Sequence, residues 1–325
     1  MKSALCLKRD DELQSKDCGE LVKIPENPRS VCVKKNSQWM INWLFLAPCL
    51  FTLALCAGWP LLKTIYFSFT DAALDSLNDF QFIGIENFIN LARDQDWWIA
   101  VKNTFVITVV AVPLETVIGM MIALILHRNF KGRGWMRAIV LVPWTIPTIV
   151  SARMWAWMLN DAYGIVNEIL INLGIIDSPI PWIASNILSI VSIILVDVWK
   201  TTPYMALLLL AGLQSLPQDC FEAAEVDSIP FRKVLMKIIL PLMKPTIIVA
   251  MIFRGLETFK IFDLVYILSS GNSATATMSV FARKHLVDYA DVGFGSAAAT
   301  ALLFFIAFLS VLYISFNRKK LNKLS

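Results

Sequence analysis

The sequence has little charge, little histidine and no nucleotide-binding motif. Only 17% of its 325 residues are charged and two are histidine, whereas 57% are hydrophobic; soluble domains have about 25% charged residues. No GxxxxGK[ST] phosphate-binding loop is present, and His127 and His285 lack the spacing of metal ligands. These shortages argue against a soluble enzyme and against a site for a metal or cofactor. The small net charge of +4 indicates no nucleic-acid partner.

Long apolar runs dominate the chain instead. A helix needs about 20 apolar residues to cross the bilayer core. Six stretches meet this requirement, at 43–69, 99–126, 136–158, 186–212, 245–268 and 295–316. The first run begins too far from the N-terminus for a signal peptide, so we expect it to remain as a helix. The sequence therefore predicts an all-α polytopic membrane protein with six transmembrane helices.

Lys and Arg are unevenly distributed among the segments that connect these runs. The N-terminal tail holds eight, and the segment after the second run, the segment after the fourth and the C-terminal tail hold four each. The three other connections hold one, none and two. Because positive charge accumulates on the cytoplasmic side, both termini are predicted to be cytoplasmic. The chain then divides into a tail (1–40) whose composition is typical of disorder, a transmembrane domain (41–318) and a short C-terminal tail (319–325).

Four ionisable residues lie in the fifth predicted span, where an ionised side chain costs about 2.5–3.5 kcal/mol. They are Arg254, Glu257, Lys260 and Asp263. The first three fall within an arc of about 120° on a helix, and neighbours three residues apart can neutralise one another. Two interpretations stay open. The arc lines a polar path for a hydrophilic solute, or it belongs to a buried ion-pair network between helices.

Further charges lie in the other predicted spans. Glu115 and Arg153 are single charges, and Asp197 and Lys200 form a pair three residues apart. Arg153 is close enough to the end of its span to reach the membrane surface. For all four residues we favour a structural role over a place on a solute path.

The segment between the fourth and fifth spans, at about 213–245, has the pattern of a helix–turn–helix elbow. Pro217 and Asp219 are typical of a helix start. Residues 221–226 predict a short helix, 227–230 break it, and 231–239 predict a second helix with one apolar face. Because this elbow lies on the predicted cytoplasmic side, it indicates a docking element for a cytoplasmic partner.

The elbow resembles the EAA loop of permease subunits of ATP-binding-cassette (ABC) importers. The matching residues are Glu222, Ala223, Ala224, Asp227, Leu240, Pro241 and Pro245. The resemblance extends from about residue 43 to 316 and is to binding-protein-dependent carbohydrate permeases of the maltose, trehalose and glycerol-3-phosphate type. Ser228 departs from the pattern because the family has glycine there, and a positive φ at this position would strain a serine.

This resemblance implies a type I ABC importer permease fold and a role in an ATP-driven sugar importer of a prokaryotic plasma (inner) membrane. The chain would pair with a second, different permease subunit, two ABC ATPase subunits that hydrolyse ATP, and an extracytoplasmic sugar-binding protein. The substrate would be an α-glucoside such as trehalose or maltose. An ion-coupled secondary transporter without an ATPase partner is the alternative.

Two groups of residues carry these expected functions. From the resemblance we expect six residues to contact the ATPase: Glu222, Ala223, Ala224, Asp227, Ser228 and Pro241. The sugar path is expected at the four ionisable residues of the fifth predicted span, Arg254, Glu257, Lys260 and Asp263.

Overall fold

The structure is a computed structural model that describes residues 35–77, 79–217, 219–269 and 272–321. The first 34 residues of the expected N-terminal tail and the last four of the C-terminal tail lie outside this range. Within the described residues the chain is almost entirely helical, with two isolated β-bridges, Thr70–Phe82 and Ala73–Asp291. The chain divides into two units, 1–55 and 56–325. Helix α1 (Lys35–Leu53) belongs to the first unit, and all other α-helices belong to the second.

The helices of the second unit follow one another with short connections. They are α2 (Trp59–Phe67), α3 (Glu86–Arg93), α4 (Gln95–His127), α5 (Arg133–Thr145), α6 (Thr148–Met158), α7 (Ile165–Asn172), α8 (Asn186–Gln214), α9 (Asp219–Val226), α10 (Phe231–Val234), α11 (Leu240–Phe259), α12 (Asp263–Leu268), α13 (Met278–Arg283) and α14 (Val292–Leu321).

Five stretches of helix are long and apolar enough to cross a membrane. They are Trp43–Phe67, Gln95–His127, Asn186–Gln214, Phe231–Phe259 and Val292–Leu312. The pair α5 and α6 passes the same test together, with a bend of 84° between them. Counting this pair as one span gives the six spans that the sequence predicts.

The long helices α4 and α8 form the centre of the second unit. Their contact, extended by α11, buries a cluster of apolar side chains that includes Leu126, Met205, Leu209 and Met243. Two glycines allow the close approach. A Cβ on Gly119 would lie 3.0 Å from Met205 Cγ, and a Cβ on Gly212 would lie 2.5 Å from Thr246 Cγ2. Small residues at such crossings are how membrane helices gain packing contacts.

The third span breaks where proline is present. α5 ends at Thr145, Ile146 is extended (ψ 131°) and α6 starts after Pro147. Proline disfavours the helical region for the residue before it, which accounts for the break at Ile146. A kink in this span is what Pro143 and Pro147 predict.

The fifth span differs from the stretch 245–268 that its hydropathy predicts. The span begins at Phe231, because a π-helical turn (Leu235–Ile239) joins α10 to α11 without a loop. Pro241 follows directly after this π-helical turn, and its missing N–H leaves the continuous helix without one backbone hydrogen bond there. The helix ends at Phe259, and α12 follows after residues 260–262. The second half of the elbow is therefore one continuous helix with the span.

Candidate functional site

Arg254, in α11, is at the centre of a buried ion-pair network. It is 4% exposed and contacts carboxylates from three helices. Its Nε and Nη2 donate to the two oxygens of Glu115 on α4, at 2.7 and 2.9 Å. Nη2 also lies 3.3 Å from Asp197 Oδ2 on α8, and Nη1 donates to Glu257 Oε2 at 3.0 Å. Such a bidentate, charge-assisted pair fixes the geometry of both partners, so Arg254 ties α4, α8 and α11 together.

Two residues of α8 make further polar contacts in this region. The Thr201 hydroxyl accepts from Arg254 Nη2 at 3.0 Å and lies 2.7 Å from Glu115 Oε1. Lys200 Nζ donates to the carbonyl oxygen of Ile146 at 2.7 Å. Lys200 thus binds this carbonyl instead of forming the predicted pair with Asp197, because the break between α5 and α6 leaves the carbonyl without a helical donor. The lysine satisfies it.

A cavity of about 210 Å³ lies beside the network, which we call the polar cavity. It is bordered by both helix breaks, through Thr148 at the start of α6 and through the segment between α11 and α12. All four residues that the sequence places on a solute path line it: Arg254, Glu257, Lys260 and Asp263. Arg254 is buried, whereas the other three side chains are exposed.

Arg254 and Glu257 differ in their surroundings. Arg254 is engaged with carboxylates of its neighbours, as a structural network requires, and the Glu257 side chain is 42% exposed although it contacts Arg254. Glu115, which the sequence marks as a single structural charge, proves to be the principal partner of Arg254. Thr201 gave no signal in the sequence, since a threonine in a membrane helix is ordinary.

The elbow of the EAA loop projects acidic side chains. α9 carries Glu222, which is exposed, and Ala224, which is 4% exposed and packs against the core of α4, α8 and α11. Asp227 follows the helix and is also exposed. Ser228 has φ +51°, the left-handed conformation that glycine adopts without strain. The Ile229 N–H then donates to the Ala224 carbonyl at 3.0 Å, which closes the turn.

The remaining predicted contact residues lie on the same loop. Pro241 is exposed in the first turn of α11. Ala223 lies within α9 between Glu222 and Ala224. The structure thus gathers five of the six predicted ATPase-contact residues in α9 and the turn after it, and it leaves Pro241 apart, beyond the π-helical turn.

The chain is similar in sequence to sugar permeases. The family described as binding-protein-dependent transport system inner membrane component matches residues 115–321. The trehalose/maltose transport system permease protein MalF of Thermococcus litoralis is 37% identical over 279 residues, which cover 86% of this chain and 94% of the relative. The trehalose transport system permease protein SugA of Mycobacterium tuberculosis is 36% identical over 276 residues, covering 84% and 87%. The sulfoquinovosyl glycerol transport system permease protein SmoG of Agrobacterium fabrum is 34% identical over 279 residues, covering 85% and 90%.

The fold is also that of a solved transporter. A chain in the crystal structure of a bacterial alginate ABC transporter, in complex with an alginate pentasaccharide-bound periplasmic protein, superposes with a TM-score of 0.74 at 18% identity. The match covers 87% of this chain and 96% of that one. The EAA-loop resemblance is thereby confirmed: the chain belongs to the family of inner-membrane permease components of binding-protein-dependent ABC transporters.

Proposed function

We propose that this chain is one of two permease subunits of an ATP-driven sugar importer and that sugar passes through the polar cavity. The observation that carries the proposal is the convergence of Arg254, Glu257, Lys260 and Asp263 on a cavity at two helix breaks. At about 210 Å³ the cavity is smaller than the roughly 300–1,000 Å³ of complete small-molecule sites. A second, different permease subunit would supply the other half.

The cavity has the chemistry that a polyhydroxylated solute requires. Lys260 presents an ammonium donor, and Glu257 and Asp263 present carboxylate acceptors with exposed side chains. Such groups can replace the water lost by sugar hydroxyls. Arg254 acts here as a positioning residue, because its Nη1 holds the Glu257 carboxylate at 3.0 Å while Glu115 holds the guanidinium.

An α-glucoside such as trehalose or maltose is the substrate we propose. Two relatives that cover most of this chain are named for trehalose or maltose transport, at 37% and 36% identity. A third, at 34%, is named for sulfoquinovosyl glycerol. A substrate panel should therefore include an anionic glycoside beside the neutral disaccharides.

The EAA loop would join the transport path to two cytoplasmic ABC ATPase subunits. In this arrangement both termini are cytoplasmic, and a sugar-binding protein docks on the opposite side. The exposed carboxylates of Glu222 and Asp227 would make charge-assisted contacts with the ATPase. Ala223 would allow close approach, and Ala224, buried against the core of α4, α8 and α11, would hold α9 in place for this contact. Ser228 sets the turn, and Pro241 lies within the helical stretch that leads from the loop into the span.

A continuous helix offers a mechanical link from this loop to the path. From Phe231 to Phe259 the chain forms one helical stretch of 29 residues, or about 43 Å at 1.5 Å per residue. When ATP binding draws the ATPase subunits together, movement of the elbow would travel along this stretch as a rigid-body shift. The far end borders the polar cavity.

The test is sugar-stimulated ATP hydrolysis and sugar uptake in proteoliposomes that contain the complete transporter. Glu257→Ala should reduce uptake or sugar affinity, whereas Glu86→Ala, which removes an exposed acid on α3, should change neither. Unchanged uptake and affinity in Glu257→Ala would remove this residue from the path. Glu222→Ala and Asp227→Ala should uncouple hydrolysis from sugar without preventing assembly. Uptake that persists without the ATPase would favour an ion-coupled secondary transporter.

A further inference from the structure

A second cavity, of about 410 Å³, lies at the end of the bundle opposite the EAA loop. Its wall includes two large aromatic side chains, Trp157 at the end of α6 and Tyr163 in the following connection, which are 73% and 70% exposed. Arg153, Asn160 and Asp161 border the same cavity. We call it the aromatic cavity. Its volume is within the range of about 300–1,000 Å³ that small-molecule sites occupy.

Polar groups around the aromatic cavity are available to a ligand. Within the residues that the structure describes, the Arg153 guanidinium, the Asp161 carboxylate and the Tyr163 hydroxyl have no hydrogen-bond partner. The Asn160 side-chain oxygen is held by the backbone N–H groups of Ala162 and Tyr163, at 2.9 and 3.2 Å. This contact fixes the amide, and its NH₂ group remains a free donor.

The polar and aromatic cavities lie at opposite ends of one helix pair. α6 and α12 pack together through Ala152, Leu264 and Leu268. Both helices begin at the polar cavity, with Thr148 and Asp263, and both end at the aromatic cavity. From Thr148 to Trp157 the axial rise is about 13 Å. The two cavities therefore border the two ends of the same helix pair.

We propose that the aromatic cavity is a second carbohydrate subsite, which receives the sugar before it reaches the polar cavity. This inference rests on the proposed function. Exposed tryptophan and tyrosine rings offer large, rigid apolar faces, which can cover the C–H face of a pyranose ring. Arg153 and Asp161 can pair with neighbouring hydroxyls as donor and acceptor. The combination of uncovered rings and free polar groups fits a sugar better than an apolar ligand.

Two other occupants are outcomes of the test. Tryptophan and tyrosine also anchor membrane proteins at the lipid headgroups, in which case Trp157 would touch lipid. The sugar-binding protein could also place its own side chains in the cavity. Neither of these would make sugar affinity depend on Trp157 when the binding protein is absent.

The experiment is equilibrium binding of radiolabelled trehalose and maltose to the complete transporter in nanodiscs, without the sugar-binding protein. Wild type should bind sugar in two classes of site. Trp157→Ala should weaken one class about tenfold, the effect of losing one aromatic contact, and Trp157→Phe should restore most of it. Asp161→Asn should weaken the same class. Glu257→Ala should affect only the other class, and the control Trp135→Ala, which removes an exposed tryptophan of α5, should affect neither.

Each alternative result is distinguishable. If one class is lost in Glu257→Ala and nothing changes in Trp157→Ala, the second subsite is refuted while the proposed function stands. If Trp157→Ala changes only the affinity of the binding protein for the transporter, or acts only in one lipid composition, the cavity belongs to that protein or to lipid. If wild type binds neither sugar and hydrolysis does not respond to either, the proposed α-glucoside substrate fails first.

Discussion

Removing Glu115 should destabilise the permease more than any other single carboxylate change in the described network. Glu115 is 0% exposed and accepts two hydrogen bonds from Arg254, at 2.7 and 2.9 Å. In Glu115→Ala the guanidinium stays buried and loses its bidentate partner. Asp197 and Glu257 also contact Arg254, at 3.3 and 3.0 Å respectively. Each of them meets a single nitrogen of the guanidinium, so neither replaces the bidentate contact of Glu115.

The size of the effect follows from the burial of both groups. Breaking a buried ion pair by removing one partner costs about 3–5 kcal/mol, since the remaining charge stays desolvated and loses its bidentate partner. Glu115→Gln keeps the shape and one acceptor oxygen. It exchanges a hydrogen bond to a charged group, worth about 1.5–3 kcal/mol, for a weaker one. We therefore expect a loss of about 1–2 kcal/mol in the glutamine variant and a clearly larger loss in the alanine variant.

The assay is thermal unfolding of the purified transporter, followed by loss of assembled complex. At about 2 °C per kcal/mol, Glu115→Ala should lower the midpoint by about 6–10 °C and Glu115→Gln by about 2–4 °C. The matched control is Glu86→Ala, in which an exposed glutamate is removed; its midpoint should stay within about 1 °C. A midpoint for Glu115→Ala equal to that of the control would refute the buried pair.

Three other changes test separate parts of the structure. Ser228→Gly should relieve the strain of φ +51° and stabilise the EAA loop by up to about 1 kcal/mol, so hydrogen exchange of its amides should slow; faster exchange would contradict this. Gly212→Val places a side chain against Thr246 and should destabilise the protein by about 1–3 kcal/mol, while Gly255→Ala, with nothing within 4 Å of its Cβ, should not. Burial lowers the pKa of His285, between the fifth and sixth spans. The unfolded chain therefore binds more protons there, so stability falls as pH drops below about 6.5, and His285→Phe should flatten that part of the pH profile.

The spans and the elbow could be predicted because their signals are local. An apolar run of sufficient length specifies a membrane helix without reference to the rest of the chain, and the prolines of the third span mark its break. Within the elbow, Asp219 predicts the start of α9, and 227–230 predict its end. Even the strain at Ser228 could be anticipated, since the resemblance showed which residue type the turn requires.

The spacing predicts the contact of Arg254 with Glu257, but the other two carboxylate partners could not be predicted, because they come from distant parts of the chain. Glu115 and Asp197 are 139 and 57 residues away from Arg254 in sequence. The spacing of apolar and charged residues along α4 and α8 does not indicate which charged side chains of different helices lie in contact. The Lys200 contact was missed for a related reason. Its acceptor, the Ile146 carbonyl, becomes available only when α5 ends, and spacing along α8 pointed to Asp197 instead.

The helix breaks support the proposed solute path by an argument independent of the charges. Irregular backbone at membrane depth is tolerated only where it is buried in protein or lines a water-filled cavity. At the first break Lys200 Nζ donates to the Ile146 carbonyl, and at the second the Thr277 hydroxyl donates to the Ile261 carbonyl. Side chains thus satisfy backbone acceptors on both sides of the polar cavity. Because the stretch Phe231–Phe259 ends at the second break, a displacement of the EAA loop would act on the region of the described fold where the third span is bent and the fifth span ends.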